Sequence, residues 1–254
     1  MKFKEKLHNA DLFMTMEVCV IPSAVVTQAI ASAGADAVLI DQEHGAIDIG
    51  ALHAMIAATA GTNCSPLVRI PEIGAAHVKR ALDMGAEGIV FPLVRTADDA
   101  QACVSMINYP PNGQRGWGPF IAHSRWKVPL MDYLSTANNK IVCILLIETT
   151  EALENIESIC AVSGIDCAFI AKFDLSTSMG ISGQFDHPRF LEAITKIEQA
   201  VLRSGIPLGG GPARTQEEAH NLFSRGYRLI AGFDLLYLKN SVSQSSSWAH
   251  SFKR

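Results

Sequence analysis

Short apolar runs alternate along the whole chain with longer amphipathic segments. The runs at 12–18, 37–41, 67–70, 88–94, 141–147, 167–171, 206–209 and 229–232 have the length and aliphatic content of buried strands. Between them lie segments with helical periodicity: 23–34, 48–62, 75–85, 96–107, 151–162, 188–204, 216–225 and 235–242. Several carry helix-start signals. Ser23 and Asp48 stand in N-cap positions, and the 96–107 segment opens Thr-Ala-Asp-Asp, with acid in the first turn where the helix dipole favours it. Gly85 marks a helix end.

One stretch breaks the alternation. Residues 108–140 contain Pro110, Pro111, Gly113, Gly116, Gly118, Pro119 and Pro129. A connection of this length reads as a functional cover or a partly helical excursion. The serine-rich residues 243–247 read as a loop before a loosely held tail.

Eight strand–helix units in 254 residues predict an α/β fold, a (β/α)8 barrel forming a single domain over 1–254. No Gly-, Pro- or Ser-rich linker divides the chain. A doubly wound open sheet would want G-x-G-x-x-G after its first strand, and that motif is absent. Gly209-Gly210-Gly211 runs into Pro212 and is a weak phosphate cradle.

Composition narrows the classes. Apolar residues at 48% fill a large core, and 21 basic against 25 acidic residues leave a net charge of −4. That balance argues against a nucleic-acid partner, which needs a concentrated basic patch. No apolar run reaches the roughly 18–20 residues that span a bilayer, so no membrane partner is expected. The basic opening Met1-Lys2-Phe3-Lys4-Glu5-Lys6 is not followed by a secretory apolar segment. The six cysteines form no C-x-x-C pair and read as buried thiols of a reducing compartment. The expected location is cytoplasmic.

In a barrel the C-terminal strand ends carry the chemistry. Strand two supplies Asp41, Glu43 and His44, strand three Arg69, strand five Glu148, and strand six Lys172 and Asp174. Glu148 and Asp174 are 174 − 148 = 26 residues apart, one β/α module, which puts them on adjacent strands. Two carboxylates with open remaining positions suit Mg²⁺ or another hard divalent ion. Such an ion can chelate a 2-oxo acid and stabilise its enolate. Arg69 can meet the enolate or a substrate carboxylate, and His44 can move protons with Asp41 fixing its tautomer. Plainer roles stand beside these. A carboxylate at a strand end can be a cap or a salt-bridge partner, Arg69 can bridge to Glu72 or Asp41, and His44 can cap its loop. His53, His77 and His220 read as surface or packing residues, and Asp98-Asp99 as helix N-terminal charge.

Five segments in register carry a family resemblance. Ile40-Asp41-Gln42-Glu43-His44-Gly45, Leu67-Val68-Arg69, Tyr109-Pro110-Pro111-x-Gly113-x-Arg115-Gly116, Ile147-Glu148-Thr149 and Asp174-Leu175-Ser176 resemble the corresponding motifs of the HpcH/HpaI aldolase family. The resemblance spans about residues 5–240. It implies a metal-dependent (class II) aldolase on a (β/α)8 barrel, a lyase that cleaves or forms 4-hydroxy-2-oxo acids. The products would be pyruvate, or a related 2-oxo acid such as hydroxypyruvate, and an aldehyde. It also implies Glu148 and Asp174 as ligands of a divalent metal ion (Mg²⁺, Mn²⁺ or Co²⁺), Arg69 as the enolate-stabilising arginine, and His44 with Asp41 as a proton-moving dyad. The substrate would lie against Arg69, Ala171, Phe173 and Asp174. The implied assembly is a homo-oligomer, a hexamer built as a dimer of trimers with an exchanged C-terminal helix.

The chain departs from the family pattern twice. Ala171-Lys172 replaces the usual Gly-Pro before the D-L-S aspartate, and Leu146 stands where glutamine is common. Lys172 shares strand parity with Asp174, which on a regular strand sends both side chains to one side. There it would pair with Glu148 or Asp174, or form a Schiff base if its pKa were lowered. The other reading turns it to solvent or an interface. Trp117, Phe120, His123, Arg125 and Trp126 of the long connection are expected to shape the aldehyde side or an oligomer contact. Rival functions are an acyl-CoA lyase of the same superfamily and a non-catalytic binding protein on the aldolase scaffold.

Overall fold

Eight parallel strands close on one another in chain order in the computed structural model, which describes residues 3–252. Met1 and Lys2 of the basic opening lie outside the described residues. The strands are β1 Met14–Cys19, β2 Ala37–Asp41, β3 Ser65–Arg69, β4 Gly88–Phe91, β5 Val142–Ile147, β6 Cys167–Ile170, β7 Leu208–Gly210 and β8 Tyr227–Phe233. The helices are α1 Phe3–Leu7, α2 Ala24–Ser32, α3 Ile49–Ala58, α4 Ala75–Asp83, α5 Ala97–Ile107, α6 Ala122–Arg125, α7 Tyr133–Ala137, α8 Thr150–Glu154, α9 Ile156–Cys160, α10 Lys172–Ser178, α11 Pro188–Ser204, α12 Gln216–Ser224 and α13 Asp234–Ser251. β1 pairs with β8, with Met14 opposite Leu229, which completes the (β/α)8 barrel.

β2, β4, β5, β6 and β7 bury both faces and read as continuous apolar runs, while β1 and β8 alternate buried and half-buried residues. Every residue of β5 is buried. Met14, Met16, Leu39, Leu67, Ile144 and Phe169 fill the barrel interior, and the second core lies between the strands and their helices. Phe3 and Leu7 of α1 join the interior cluster. Lys4 and His8 both reach the buried carboxylate of Asp166, at 3.1 and 2.9 Å. α1 thereby closes the end of the barrel where the strands begin.

Several elements differ from the sequence reading. The 151–162 helix is two short helices meeting at Asn155. The 108–140 connection holds α6, a 3-10 turn at Leu130–Asp132 and α7. It joins the C-terminus of α5 to the start of β5, so it belongs to the N-terminal end of the barrel. Trp126 Nε1 donates to Gly85 O at 3.2 Å, Arg125 to His53 O at 3.2 Å, and Arg115 to Asp83 at 2.8 Å. The aromatic residues of this connection are therefore anchored away from their own barrel's mouth. Residues 243–247 are not a loop: α13 runs through them, with Ser245 and Ser247 hydroxyls donating to Val242 O and Gln244 O.

The glycine run after α11 is explained by packing. A Cβ at Gly209 would stand 2.5 Å from the Phe169 ring, and one at Gly210 would stand 2.6 Å from Tyr227. All six cysteines are free and buried. Burial pushes the thiols of Cys64 and Cys103 up to about 12, which removes them as nucleophiles. No described helix is long and apolar enough to cross a membrane.

Candidate active site

Strand register explains the first contact of the site. β2 and β3 place Asp41 opposite Arg69 at their C-terminal ends. The Asp41 carboxylate is fully buried and accepts from Arg69 Nε at 2.8 Å and Nη2 at 2.6 Å. Its Oδ1 also accepts the backbone N–H groups of Glu43 and His44, at 3.0 and 3.3 Å. A buried carboxylate needs this many donors to offset lost hydration. Burial alone would pull the Arg69 guanidinium down. The hydrogen bonds and charge of Asp41, with the charge of Glu43, more than offset that and hold it above its ordinary value.

This arrangement corrects the expected dyad. Asp41 does not hold the His44 imidazole, because both its oxygens are taken by Arg69 and by the backbone of the following turn. His44 lies largely in solvent, and its Nε2 is 3.9 Å from Glu43 Oε2. Glu43, which the sequence reading left without a role, sits between them, with Oε2 3.1 Å from Arg69 Nη1. That oxygen is buried without a hydrogen-bond partner. Burial raises the Glu43 carboxyl, against the charges of Arg69 and His44. Its position beside Asp41 and His44 in the Ile40–Gly45 motif was the one signal that could have found it.

Glu148 follows β5 and is buried. Its Oε1 accepts the backbone N–H of Leu93 at 2.5 Å. Burial pushes its carboxyl up to about 7; the Leu93 N–H opposes this, Asp174 and Glu43 add to it, and Arg69 lowers it. Leu93 has φ 55, a left-handed conformation that costs a non-glycine residue about 1–2 kcal/mol. The apolar run was expected to extend as strand to Val94. β4 instead stops at Phe91, and the turn aims the Leu93 amide at the carboxylate.

Asp174 lies in the first turn of α10 and is exposed. Ala171 is the N-cap of α10 and donates its N–H to Ile147 O at 3.3 Å. Phe173 is exposed at the mouth, its ring 4.7 Å from Phe185 edge to face. Lys172 is not on a strand, because β6 ends at Ile170. Two residues on a helix are about 200° apart, so Lys172 and Asp174 diverge. The Lys172 ammonium lies over the Phe185 ring at 4.8 Å, away from the carboxylates. This removes the strand-parity argument for a Schiff-base lysine.

Five charged groups thus converge at one rim: a guanidinium and the carboxylates of Asp41, Glu43, Glu148 and Asp174. One positive charge against four negative ones leaves 1 − 4 = −3 when all are ionised. Beneath them is an apolar cavity of about 80 Å³, lined by Met16, Leu39, Leu146, Phe169 and Ala231 among others. Leu146 contributes to its wall.

The family model for HpcH/HpaI aldolase/citrate lyase matches residues 21–240. A 4-hydroxy-4-methyl-2-oxoglutarate aldolase of Chaetomium globosum is 36% identical over 220 residues, covering 82% of this chain and 79% of that protein. A hydroxypyruvate/pyruvate aldolase of Cupriavidus necator is 40% identical over 181 residues, covering 70% of this chain and 66% of that one. The solved HpcH/HpaI aldolase of Desulfitobacterium hafniense superposes with a TM-score of 0.91 at 30% identity, covering 100% of this chain and 98% of that structure.

Proposed function

The chain belongs to the HpcH/HpaI aldolase/citrate lyase family, and from that premise we propose that it is a divalent-metal-dependent aldolase. It reversibly cleaves 4-hydroxy-2-oxo acids to pyruvate, or a related 2-oxo acid such as hydroxypyruvate, and an aldehyde. The observation that carries this reading is the juxtaposition of Arg69, tied to Asp41 and Glu43, with the carboxylates of Glu148 and Asp174.

The donor set fits a hard divalent cation. The rim has a charge deficit, and Glu43 Oε2 is buried without a hydrogen-bond partner. No group of three or more His, Cys, Asp or Glu among the described residues closes into a full cage. Two carboxylates with open positions are the arrangement that Mg²⁺ or Mn²⁺ tolerates. Glu148 and Asp174 would hold the ion, and when bound it supplies Lewis-acid polarisation of the substrate's keto oxygen.

The chain's own groups do the rest. Arg69 has five N–H donors. Nε, Nη2 and Nη1 face Asp41 and Glu43, which locks the guanidinium and leaves its remaining N–H groups for the oxygen where enolate charge develops. A locked donor pays little reorganisation as that charge grows. The first-turn N–H groups of α10, which lack intrahelical acceptors, receive the 2-oxo acid carboxylate beside Ala171, Phe173 and Asp174. His44 carries the proton between solvent and the C3 or alkoxide position, steadied by Glu43. Asp41 is a positioning residue, since it fixes both Arg69 and the turn bearing His44. The buried apolar layer under the rim keeps water from the reacting carbon.

The C-terminal helix supports oligomerisation by exchange. In α13 only Asp234 is buried; Leu235, Leu236, Leu238, Val242 and Trp248 are exposed. A helix this apolar needs a partner surface, which a second copy of the chain provides.

The test is exchange of pyruvate methyl protons in D₂O, followed by NMR, together with retro-aldol release of pyruvate. Both should vanish with EDTA and return with Mg²⁺, Mn²⁺ or Co²⁺. Exchange that persists unchanged in Glu148→Gln would sink the reading.

A further inference from the structure

A second cavity, of about 300 Å³, lies outside the barrel between α11 and α12. Its origin is local. β7 carries glycine where a side chain would otherwise project, and α12 has no buried residue. The bed is apolar: Phe185, Phe190 and Ile194 on one side, Leu222 and Tyr227 on the other.

The charges around this bed are uneven. At one end Arg225 is tied to Glu198, which also accepts the Tyr227 hydroxyl at 2.7 Å. At the other end stands Lys172, with its ammonium 4.8 Å over Phe185 and 6.0 Å over Phe173. No carboxylate among the described residues comes within ion-pair distance of it. The acid nearest in effect is Glu218, which is engaged by the Arg214 backbone N–H at 2.6 Å. Lys172 is half-buried, and the guanidinium of Arg214 is a second positive charge acting on it. Stacking on Phe185 compensates this cation only in part. Lys172, Gly211 and Pro212 line both this groove and the cavity at the barrel mouth.

We propose that the groove between α11 and α12 binds an amphipathic monocarboxylate, with its carboxylate paired to Lys172 beside Arg214 and its apolar body laid between the two helices. Each alternative ligand class fits less well. A small inorganic anion leaves the apolar bed wet. A neutral apolar ligand leaves the half-desolvated ammonium unpaired. A dicarboxylate drives its second charge toward Glu198. The Lys172 ammonium takes no part in the aldol chemistry assigned above, although Lys172 opens α10 and lies next to Phe173 at the mouth, and the proposal does not rest on that assignment.

The test uses the full chain without added metal or pyruvate. Hexanoate, 4-phenylbutyrate and the neutral control hexanol are titrated by calorimetry. The carboxylates should bind saturably, and hexanol about tenfold or more weaker, as expected for loss of a charge-assisted contact. Lys172→Met should weaken hexanoate about tenfold and erase its advantage over hexanol. Leu191→Trp, at the exposed rim of the groove, should weaken both by filling the bed. Circular dichroism confirms that each variant is folded. Absence of saturable binding up to about 10 mM overturns the proposal. So does hexanoate affinity unchanged in both variants, which would place the acid elsewhere. Methyl-proton exchange of pyruvate, measured separately, shows whether the aldolase reading stands whatever the groove does.

Discussion

Arg69 and Asp41 face each other at the ends of neighbouring strands and meet through two hydrogen bonds of 2.8 and 2.6 Å. Asp41 is wholly buried, so removing it strands a positive charge and two backbone N–H groups. Asp41→Ala should destabilise the protein by about 3–5 kcal/mol, the range for breaking a buried ion pair from one side. Asp41→Asn keeps an acceptor oxygen and should cost less. Urea unfolding followed by circular dichroism measures both. An Asp41→Ala protein as stable as the parent would mean the pair does not organise the rim.

Arg69→Lys keeps the charge but loses the planar fork that faces Asp41 and Glu43 together. The rate of pyruvate proton exchange should fall by about 10²-fold, comparable with losing one preorganised oxyanion donor. Thermal stability should change much less than in Asp41→Ala. Equal losses of stability in the two variants would assign Arg69 a structural role alone.

Glu148→Gln removes the acid whose ionised form is disfavoured by burial and by Asp174 and Glu43. Mn²⁺ binding, read by electron paramagnetic resonance, should weaken at least about tenfold. The metal-free variant should be no less stable than the parent near neutral pH, because glutamine relieves the crowding of carboxylates. A large loss of metal-free stability would show that the Leu93 contact, rather than metal binding, is what Glu148 serves.

Leu93 presents its N–H to Glu148 from a left-handed backbone. Leu93→Gly should be neutral or stabilising by up to about 1 kcal/mol, since glycine adopts that conformation without strain but loses more chain entropy. Thermal unfolding and Mn²⁺ affinity should both stay close to the parent. A fall in both would mean that the exposed leucine side chain, not its amide, matters.

Glu17 on β1 accepts the Tyr237 hydroxyl of α13 at 2.9 Å. Burial raises its carboxyl, and the tyrosine hydrogen bond opposes the rise. The folded chain therefore keeps this proton to higher pH than the unfolded chain. Its stability contribution is present below the ordinary carboxylate value and is lost as pH rises through the raised one. The melting temperature of the parent relative to Glu17→Gln should decline across that window. A difference that does not change with pH would remove Glu17 as a titrating group.

Deleting residues 240–254 removes most of the exposed α13. Light scattering should show the full chain as a multiple of its 27.4 kDa mass and the truncated chain as a smaller species.

The hydrophobic pattern of the chain specifies the architecture and most of the rim. Eight apolar runs spaced by amphipathic segments, with no G-x-G-x-x-G after the first, fit a closed parallel sheet better than an open doubly wound one, and chemistry in such a barrel gathers where the strands end. Asp41, Arg69, Glu148 and Asp174 were legible because each polar residue stands at the end of an apolar run or within three residues after it. Which of these groups pair is a matter of the folded chain. Strand register, not sequence distance, set Asp41 against Arg69 and left His44 with Glu43. A left-handed turn within what reads as continuous strand delivered the Leu93 amide to Glu148. The early end of β6 took Lys172 off the strand face it would have shared with Asp174 and set it at a groove outside the barrel, without a carboxylate at ion-pair distance among the described residues. Local patterns specify which face a residue occupies, while its partners depend on register and on where each element stops, which are settled by the packing of the whole chain.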